Sequence, residues 1–390
     1  MTDFRTRNRL WLVELEGTPG TAETPTVSAN AIKAEGLVPN APFEFDRTAE
    51  HTASLDNAAG IVGGGMASHA GTVLMKGSGT GGTAPDWDPL AQASGLAVTT
   101  LASDESDTAQ TGASGSITLA AGESSSDDAY NGMVITTTGG TGSGQRRVIT
   151  DYVGSTKVAS VYPDWSVTPD NTTTYTVHAC NVYVPASASL GAVTSWIYDL
   201  PATGSNARVR KGHGMVGNLG LTIPANRAGR MAVQLTGVYT EDPSDVSAPG
   251  DPTYDSGVAA PFINADVYLG GAVAKFNQFA LDLGNAITVA PDPTATHGHD
   301  LGIIGARNIT GRINPRQVAA ATRNVMADFV AGTQRALWLR WGSTAGHRLS
   351  LYMPAIKYTG GDPEDLDGLI AEGAPFEAVG QDTGLYLSVY

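Results

Sequence analysis

The chain has little cysteine and few basic residues, and each shortage excludes a class of protein. Cys180 is the only cysteine among 390 residues, so the chain has no intramolecular disulfide framework. Lys and Arg number 23 against 38 Asp and Glu, which gives a formal net charge of −15. Because tight binding of nucleic acid needs a basic footprint, this balance argues against a protein that grips DNA or RNA. It does not exclude a surface past which nucleic acid slides without sticking.

Long apolar runs are lacking as well. No stretch reaches the roughly twenty consecutive apolar residues of a membrane-spanning helix. The amino terminus carries arginines but has no apolar run behind them, unlike a secretory signal. We therefore expect that the chain does not insert into a membrane and that it is made in a cytoplasm.

The chain is rich in glycine and proline and poor in charged residues. The chain has 48 Gly and 21 Pro, and only 16% of its residues are charged. Such a mixture, rich also in Thr, Ser and Val, favours short strands joined by turns over long helices. A chain of this length buries a sizeable core and usually divides into two or three domains. We predict a mainly β, α+β fold.

Residues 100–180 differ in texture from the rest of the chain. They are rich in Ser, Thr, Gly and Asp, and their only basic residues are Arg146, Arg147 and Lys157. Five alternating runs separated by turns predict a small all-β domain; they are 116–119, 132–137, 146–149, 157–161 and 174–178. We therefore predict an inserted domain at 100–180 inside a discontinuous main domain formed by 1–99 and 181–390.

The main domain shows strand patterns on both sides of the insert. Residues 215–223 and 231–239, joined by 225–229, are typical of a β-hairpin. A short helix is predicted around Trp87, with Asp86 as N-cap and Gly95 as its end. Loops or arms are expected at 16–30, 51–65 and 241–257. Further strands are predicted at 10–15, 43–46, 71–75, 182–185, 195–198, 276–283, 337–341, 349–353 and 385–390.

One longer helix is predicted near the carboxyl terminus. Asn314 suits an N-cap and Pro315 the first helical position, and Gly332 suits the end. Between them, apolar and small side chains recur at helical spacing and predict one buried stripe, formed by Val318, Ala321, Thr322, Val325, Met326 and Phe329.

Five short motifs suggest chemistry, and none reaches the pattern of an enzyme. His297 and His299 are the only close histidine pair, but a metal site needs further placed ligands. Residues 139–146 resemble a phosphate cradle, yet Gln145 and Arg146 stand where a P-loop needs Lys and Ser or Thr. In 342–346 Thr344 holds the central place of a nucleophile elbow, and the flanking strands favour a hairpin.

The other two motifs also favour a structural interpretation. Cys180 has no catalytic partner and is typical of a small buried residue. The carboxylates of 362–367 do not have EF-hand spacing, which favours a solvated turn. We predict no enzyme, and no catalytic, cofactor-binding or metal-binding residues.

Several stretches resemble, in the same order, the major tail tube protein of long-tailed (siphovirus-like) bacteriophages. The resemblance skips residues 100–180 and is carried by 82–90 with 95–96, 182–185, 211–217 with the 221–239 hairpin, 282–315, 360–368 and 376–390. Within the insert, 144–149 and 165–170 resemble small β domains appended to phage structural proteins. The insert would then be an added module on the tube exterior.

The resemblance implies two packed β-sheets, forming a sandwich or barrel, flanked by one helix. It implies a virion protein of a tailed phage or phage-like particle, assembled in the bacterial host cytoplasm into six-fold rings that stack as a tail tube. Its partners would be further copies of itself and the terminator, distal tail and tape measure proteins. DNA would pass through an acidic lumen without specific binding, and a chain lacking 101–180 would still assemble.

Two other classes stay open. A receptor-binding or capsid-decoration protein would be a discrete monomer or trimer with an aromatic pocket for carbohydrate. A glycoside hydrolase on a β scaffold would need two carboxylates facing each other in a cleft, and no pair is distinguished by its spacing.

Overall fold

The computed structural model describes residues 3–56, 58–203 and 205–390. The predicted mainly β fold is confirmed, since strands hold 53% of the residues and helices 3%. In the described residues the helices are α1 (Asp88–Ala93) and α2 (Val325–Ala331). The strands are β1 (Phe4–Leu15), β2 (Ala31–Ile32), β3 (Glu35–Asn40), β4 (Phe43–Asp46), β5 (Ile61–Leu74), β6 (Leu96–Leu101), β7 (Glu105–Thr108), β8 (Thr111–Ala113), β9 (Ser116–Thr118), β10 (Val134–Gly139), β11 (Arg146–Val153), β12 (Val158–Tyr162), β13 (Thr174–Val177), β14 (Cys180–Pro185), β15 (Val193–Pro201), β16 (Asn206–Pro224), β17 (Arg230–Ser247), β18 (Asp266–Leu269), β19 (Ala272–Val273), β20 (Phe276–Asp282), β21 (Asn285–Pro291), β22 (His299–Arg307), β23 (Thr310–Pro315), β24 (Gln334–Trp341), β25 (Leu349–Tyr358), β26 (Asp362–Leu366), β27 (Leu369–Ala378) and β28 (Tyr386–Val389).

The first sheet is built around the long β16–β17 hairpin. From one end to the other its antiparallel order is β3 and β4, then β5, β17, β16, β20, β23, β27 and β26. On the side away from β17, the amino-terminal half of β16 pairs with β15, whereas its carboxyl-terminal part pairs with β20. Strand β15 pairs in turn with β1, and β1 with β2. The hairpin predicted at 215–239 is confirmed and is longer than predicted.

The second sheet lies across the core from the first. Its order is β6, β14, β28, β25, β24, β18 and β19. The carboxyl-terminal end of β25 also pairs with β27, which joins the two sheets at one side. Short helix α1 packs with β1, β6, β15 and β16, and it ends at Ser94 before Gly95, close to the prediction.

Alternation along the strands builds the core between these sheets. Successive side chains point to opposite faces of a strand, so every second residue of both sheets turns inward. The buried residues of the first sheet include Leu219, Leu221, Met231, Val233, Leu235 and Phe279. Those of the second sheet include the predicted Leu337, Leu339, Trp341, Leu349, Leu351 and Met353.

Seven strands of the 100–180 segment form a third, separate sheet. Their order is β7, β13, β10, β11, β12, β9 and β8. All five runs predicted there are strands, while β7 and β8 were missed because their short, polar sequences do not alternate. This sheet, with the loops of the same segment, is called the insert below. Beyond these sheets, β21 and β22 form a hairpin that packs on β16 and β17.

The predicted start of the long helix is wrong. Asn314 and Pro315 end β23, and the Asn314 side chain accepts hydrogen bonds from the backbone N–H groups of Asn277 and Gln278, both at 3.1 Å. Pairing of β23 with β20 therefore outweighs the local capping preference. Helix α2 begins after Asn324, whose side chain accepts from the Ala327 N–H at 2.9 Å, and it ends at Gly332 as predicted.

The predicted buried stripe is wrong as well. Val325 is buried, but Val318, Met326 and Phe329 are exposed. Charged side chains take the inward positions, because Arg323 and Asp328 are buried and pair with Glu372 and Arg335 at 3.2 and 2.6 Å.

Three predicted loops are corrected. Strand β5 begins at Ile61, inside the predicted loop 51–65, because it pairs with β4. Strand β17 continues to Ser247 by pairing with β16, so the first part of 241–257 is strand. Residues 362–366 form β26 rather than only a turn. No helix in the described part of the chain is both long and apolar enough to cross a membrane.

Candidate assembly surfaces

The outer face of the second sheet is covered by the insert. Four aromatic side chains point outward from this sheet and belong to the hydrophobic core of the insert, namely Trp338, Tyr352, Tyr386 and Tyr390. All four are buried. Because a strand buried on both faces cannot alternate between apolar and polar residues, β24 and β25 carry large apolar side chains on each face.

Hydrogen bonds fix the insert in this position. The Tyr162 hydroxyl donates to the Ala336 carbonyl at 3.0 Å and accepts from the Gly271 N–H at 2.7 Å. On the opposite side of the contact, the buried Ser388 hydroxyl donates to the Gly132 carbonyl at 2.5 Å. Bonds at both sides of an aromatic contact hold the insert in one orientation on the second sheet.

The outer face of the first sheet is open beside the part of β16 and β17 on which the β21–β22 hairpin packs, and this open part carries small side chains. One row crosses five neighbouring strands as Thr72, Ala232, Gly220, Asp282 and Thr310. The next row crosses four of them as Arg230, Thr222, Ala280 and Arg312. The result is a shallow face without large aromatic side chains in these rows, called the open face below.

Charges on the open face are compensated by neighbours. Arg230 lies 3.2 Å from Glu35, and Arg312 pairs with Glu364. Asp282 accepts a hydrogen bond from the Asn218 amide at 2.8 Å. The rows therefore present neither a basic stripe nor an uninterrupted acidic one. A polyanion meeting them finds little net attraction, because backbone binding depends on unpaired Lys and Arg.

Exposed apolar side chains gather at both ends of the first sheet. At the β4–β5 end, Phe45, Ile61 and Val62 are 57%, 60% and 66% exposed. At the β26–β27 end, Leu369 and Ile370 are 49% and 60% exposed. Val318, Met326, Phe329 and Val330 add to this second group, beside Arg323, which pairs with Glu372 of β27. We call the two groups the β4 edge and the β27 edge.

The strands at these ends are also incompletely paired. Within the described residues, β3 and β4 pair only with β5, and β26 pairs only with β27. An open sheet edge offers free N–H and C=O groups to another chain. Exposed apolar residues at the same place make each edge a candidate contact surface.

The histidine motif and the glycine-rich motif are turns. His299 is buried in the β21–β22 hairpin, and its Nδ1 lies 3.3 Å from the His297 carbonyl oxygen. Over the described ranges, no three His, Cys, Asp or Glu residues are placed to hold a metal ion. Residues 139–146 turn between β10 and β11, where the Gln145 amide donates to the carbonyls of Gly142 and Val167 at 2.9 and 2.8 Å.

The other motifs also have structural roles. Residues 342–346 lie in the loop between β24 and β25. Cys180 is buried, and burial raises the pKa of its thiol to about 12. A thiol that stays protonated at neutral pH is a poor nucleophile.

A pair of carboxylates in the insert was missed by the sequence analysis. The Tyr130 hydroxyl donates to Glu105 and lies 3.0 Å from Glu123, and the Tyr175 hydroxyl donates to Glu123 at 2.5 Å. Burial first, and Glu123 second, raise the pKa of Glu105 to about 7. Glu105 and Glu123 are far apart in sequence, so no spacing signals the pair. Both are bound by tyrosine hydroxyls, which differs from two carboxylates flanking a substrate.

No protein-family model matches the chain, and comparison with curated proteins gives no significant match.

Proposed function

We propose that this chain is the tail tube subunit of a tailed phage or phage-like particle. Its copies form six-fold rings that stack into a conduit for DNA in the virion tail. The observation that carries the proposal is the first sheet, whose end strands, in the ranges that the structure describes, are each paired on one side only and carry exposed apolar side chains beside them. The β4 edge of one copy would meet the β27 edge of the next.

Edges of this kind favour a ring over an isolated chain. A sheet that ends in exposed apolar strands pairs with other chains unless it is protected, and closing it with neighbours removes the edges. The two edges differ in sequence and lie at opposite ends of the strand order. Their contact is therefore heterologous, and heterologous contacts generate closed rings when the rotation permits.

The two outer faces suggest which side meets the DNA. The open face has small side chains and compensated charges, which supports its placement on the lumen, where DNA must pass without sticking. The insert lies across the core from that face, so it would decorate the exterior of the tube. In such a tube the insert would lie away from the passage and would not obstruct transport.

The proposal is tested by electron microscopy of the purified protein at high concentration. We expect rings or tubes from the wild-type chain. Ile370→Asp and Val62→Asp, one at each edge, should each leave monomers, because a carboxylate would be trapped in an apolar contact. Both side chains are exposed in the monomer, so folding should be unchanged.

Val167→Asp is the matched control, since Val167 is a similarly exposed valine, 51% accessible, in the insert. It should assemble like the wild-type chain. Circular dichroism of each variant establishes that the fold is retained. Discrete wild-type monomers at all concentrations, or tubes from both edge variants, would refute the proposed ring.

A further inference from the structure

A cleft of about 660 Å³ lies along the seam between the insert and the second sheet. Its walls come from four separate parts of the chain. The insert contributes Thr136 and Arg146, the second sheet contributes Arg340, and the loops after β17 and β24 contribute Asn264 and Ser343. This volume lies within the range of small-molecule sites.

The cleft is basic in an acidic protein. Arg146, Arg340 and Arg348 line it, and Asp266 is the one carboxylate among its lining residues. The chain as a whole has a formal net charge of −15, so the local positive charge of three arginines in one cleft is opposite in sign to the net charge of the protein. Arginine is the residue that recognises carboxylate and phosphate groups through two parallel hydrogen bonds.

Arg340 is held at the back of the cleft with most of its donors unused. It is 7% exposed, and its Nε donates to the Tyr390 hydroxyl at 2.7 Å. Its other close polar partner among the described residues is Asp266, whose Oδ2 lies 3.8 Å from Arg340 and 3.7 Å from Arg146. Both distances exceed hydrogen-bond length, and that oxygen is enclosed without a hydrogen-bond partner.

The Tyr390 ring helps to position two of the three arginines, Arg340 and Arg348. The Tyr390 ring has the Arg340 and Arg348 guanidinium groups 5.9 and 5.8 Å from its centroid. The His178 ring stacks on it at 5.4 Å. Burial lowers the pKa of His178; Asp104 opposes this, while Arg348 and Arg340 lower it further. The His178 Nε2 lies 2.9 Å from the Thr136 hydroxyl.

We propose that this seam cleft binds a saccharide that carries an oxyanion, as a carboxylate or a phosphate. Arg340 and Arg348 would bind the anionic group, with Arg146 at the mouth. The remaining lining includes a hydroxyl or amide on Thr136, Asn264 and Ser343, the groups that bond sugar hydroxyls. Both halves of the cleft are needed, so the site exists only while the insert is docked.

The experiment is calorimetric titration of the full chain with four probes: trigalacturonate, glucose 6-phosphate, neutral maltotriose and inorganic phosphate. We expect one or both of the acidic sugars to bind, more weakly as salt is raised, and maltotriose not to bind. The two acidic sugars separate carboxylate from phosphate recognition. Inorganic phosphate binding as tightly as glucose 6-phosphate would overturn the saccharide part of the proposal.

Variants Arg348→Gln and Arg146→Gln each remove one cation from a partly exposed position. Loss of a charged hydrogen bond should weaken acidic-sugar binding by roughly tenfold or more. Arg208→Gln is the matched control, because Arg208 pairs with Asp245 at 3.4 Å on the β16–β17 hairpin, and it should bind like the wild-type chain. Arg340 is not substituted, since its buried guanidinium helps to hold the seam.

Three outcomes would each overturn the site as a whole. The first is that neither acidic sugar binds, and the second is that maltotriose binds as well as the acidic sugars. The third is that both arginine variants bind like the wild-type chain. Ring assembly of the same variants, followed by microscopy, should be unchanged, so failure of sugar binding and failure of the tube proposal are separate results.

Discussion

The two sheets share one core, but their outer faces differ in the size of their side chains and in what covers them. Outside the second sheet, Trp338, Tyr352 and Tyr386 are buried beneath the insert. Outside the first sheet, Thr222 and Ala232 stand on the open face. Since the inward faces are equally apolar, the difference arises from what covers each sheet. Large side chains on an outer face therefore indicate that another part of the protein covers that face, and small ones indicate that it is exposed.

This difference can be seen along single strands. In β17, Met231, Val233 and Leu235 are buried while Ala232 and Gln234 are exposed. In β24, the last five residues are all buried. Alternation is typical of a sheet with one covered face, and continuous burial of a sheet covered on both. If the ring proposal holds, the open face remains wet after assembly, and its small polar side chains suit that environment.

Removing the insert should have the largest effect on this comparison. Leu101 and Cys180 are paired on neighbouring antiparallel strands, so residues 102–179 can be replaced by a two-residue Asn-Gly turn. This deletion would expose Trp338, Tyr352 and Tyr386 together as an apolar patch. We expect aggregation, measured by size-exclusion chromatography, rather than the intact assembly that the sequence alone predicts.

The control is the same deletion with those three aromatic residues replaced by Thr. This variant makes the second sheet resemble the open face, and it should be monodisperse and folded at low concentration. A monodisperse protein from the unmodified deletion would show that the aromatic face does not depend on the insert. The comparison between covered and open faces would then fail.

Single substitutions should reproduce the difference on a smaller scale. Trp338→Ala should lower the free energy of unfolding by about 3–5 kcal/mol, because it leaves a cavity and an unpaired Ser350 hydroxyl. That hydroxyl accepts from the Trp338 Nε1 at 2.9 Å. Gln234→Ala on the open face should change it by less than about 0.5 kcal/mol. Urea unfolding measures both, and equal effects would contradict the asymmetry.

Much of this architecture could be predicted from the sequence. The β16–β17 hairpin, the five runs in the insert and the core residues of β24 and β25 all follow from two-residue periodicity. Helix α2 could not be placed, because Asn314 and Pro315 form a good local cap that long-range pairing with β20 overrides. The seam cleft could not be predicted from the sequence, because Arg146 lies far from Arg340 and Arg348 along the chain and meets them only through docking of the insert.

Helix α2 gives a third test, at the β27 edge of the open-faced sheet. Val325→Asp places a carboxylate in the core and should cost about 3 kcal/mol of unfolding free energy. Phe329→Asp should leave stability nearly unchanged, because Phe329 is exposed in the monomer. Its effect should appear in assembly instead. A large loss of stability from Phe329→Asp would mean that the helix is buried as the sequence pattern predicts.

The smallest expected effect concerns pH and the insert alone. The folded pKa of Glu105 is raised to about 7 from its ordinary 4.5, so between these values the folded protein holds a proton that the unfolded chain releases. The stabilisation is complete below about pH 4.5 and is lost as pH rises through 7.

Glu105→Gln keeps a hydrogen-bond acceptor for Tyr130 without the titration. Relative to wild type, its melting temperature should therefore rise between pH 5 and pH 8, by a few degrees at most. Asp107→Asn, at an exposed carboxylate on the same strand, is the control for removing a carboxylate from β7. If Glu105→Gln shows no such rise, Glu105 is ionised across this range and the insert contributes no pH dependence through it.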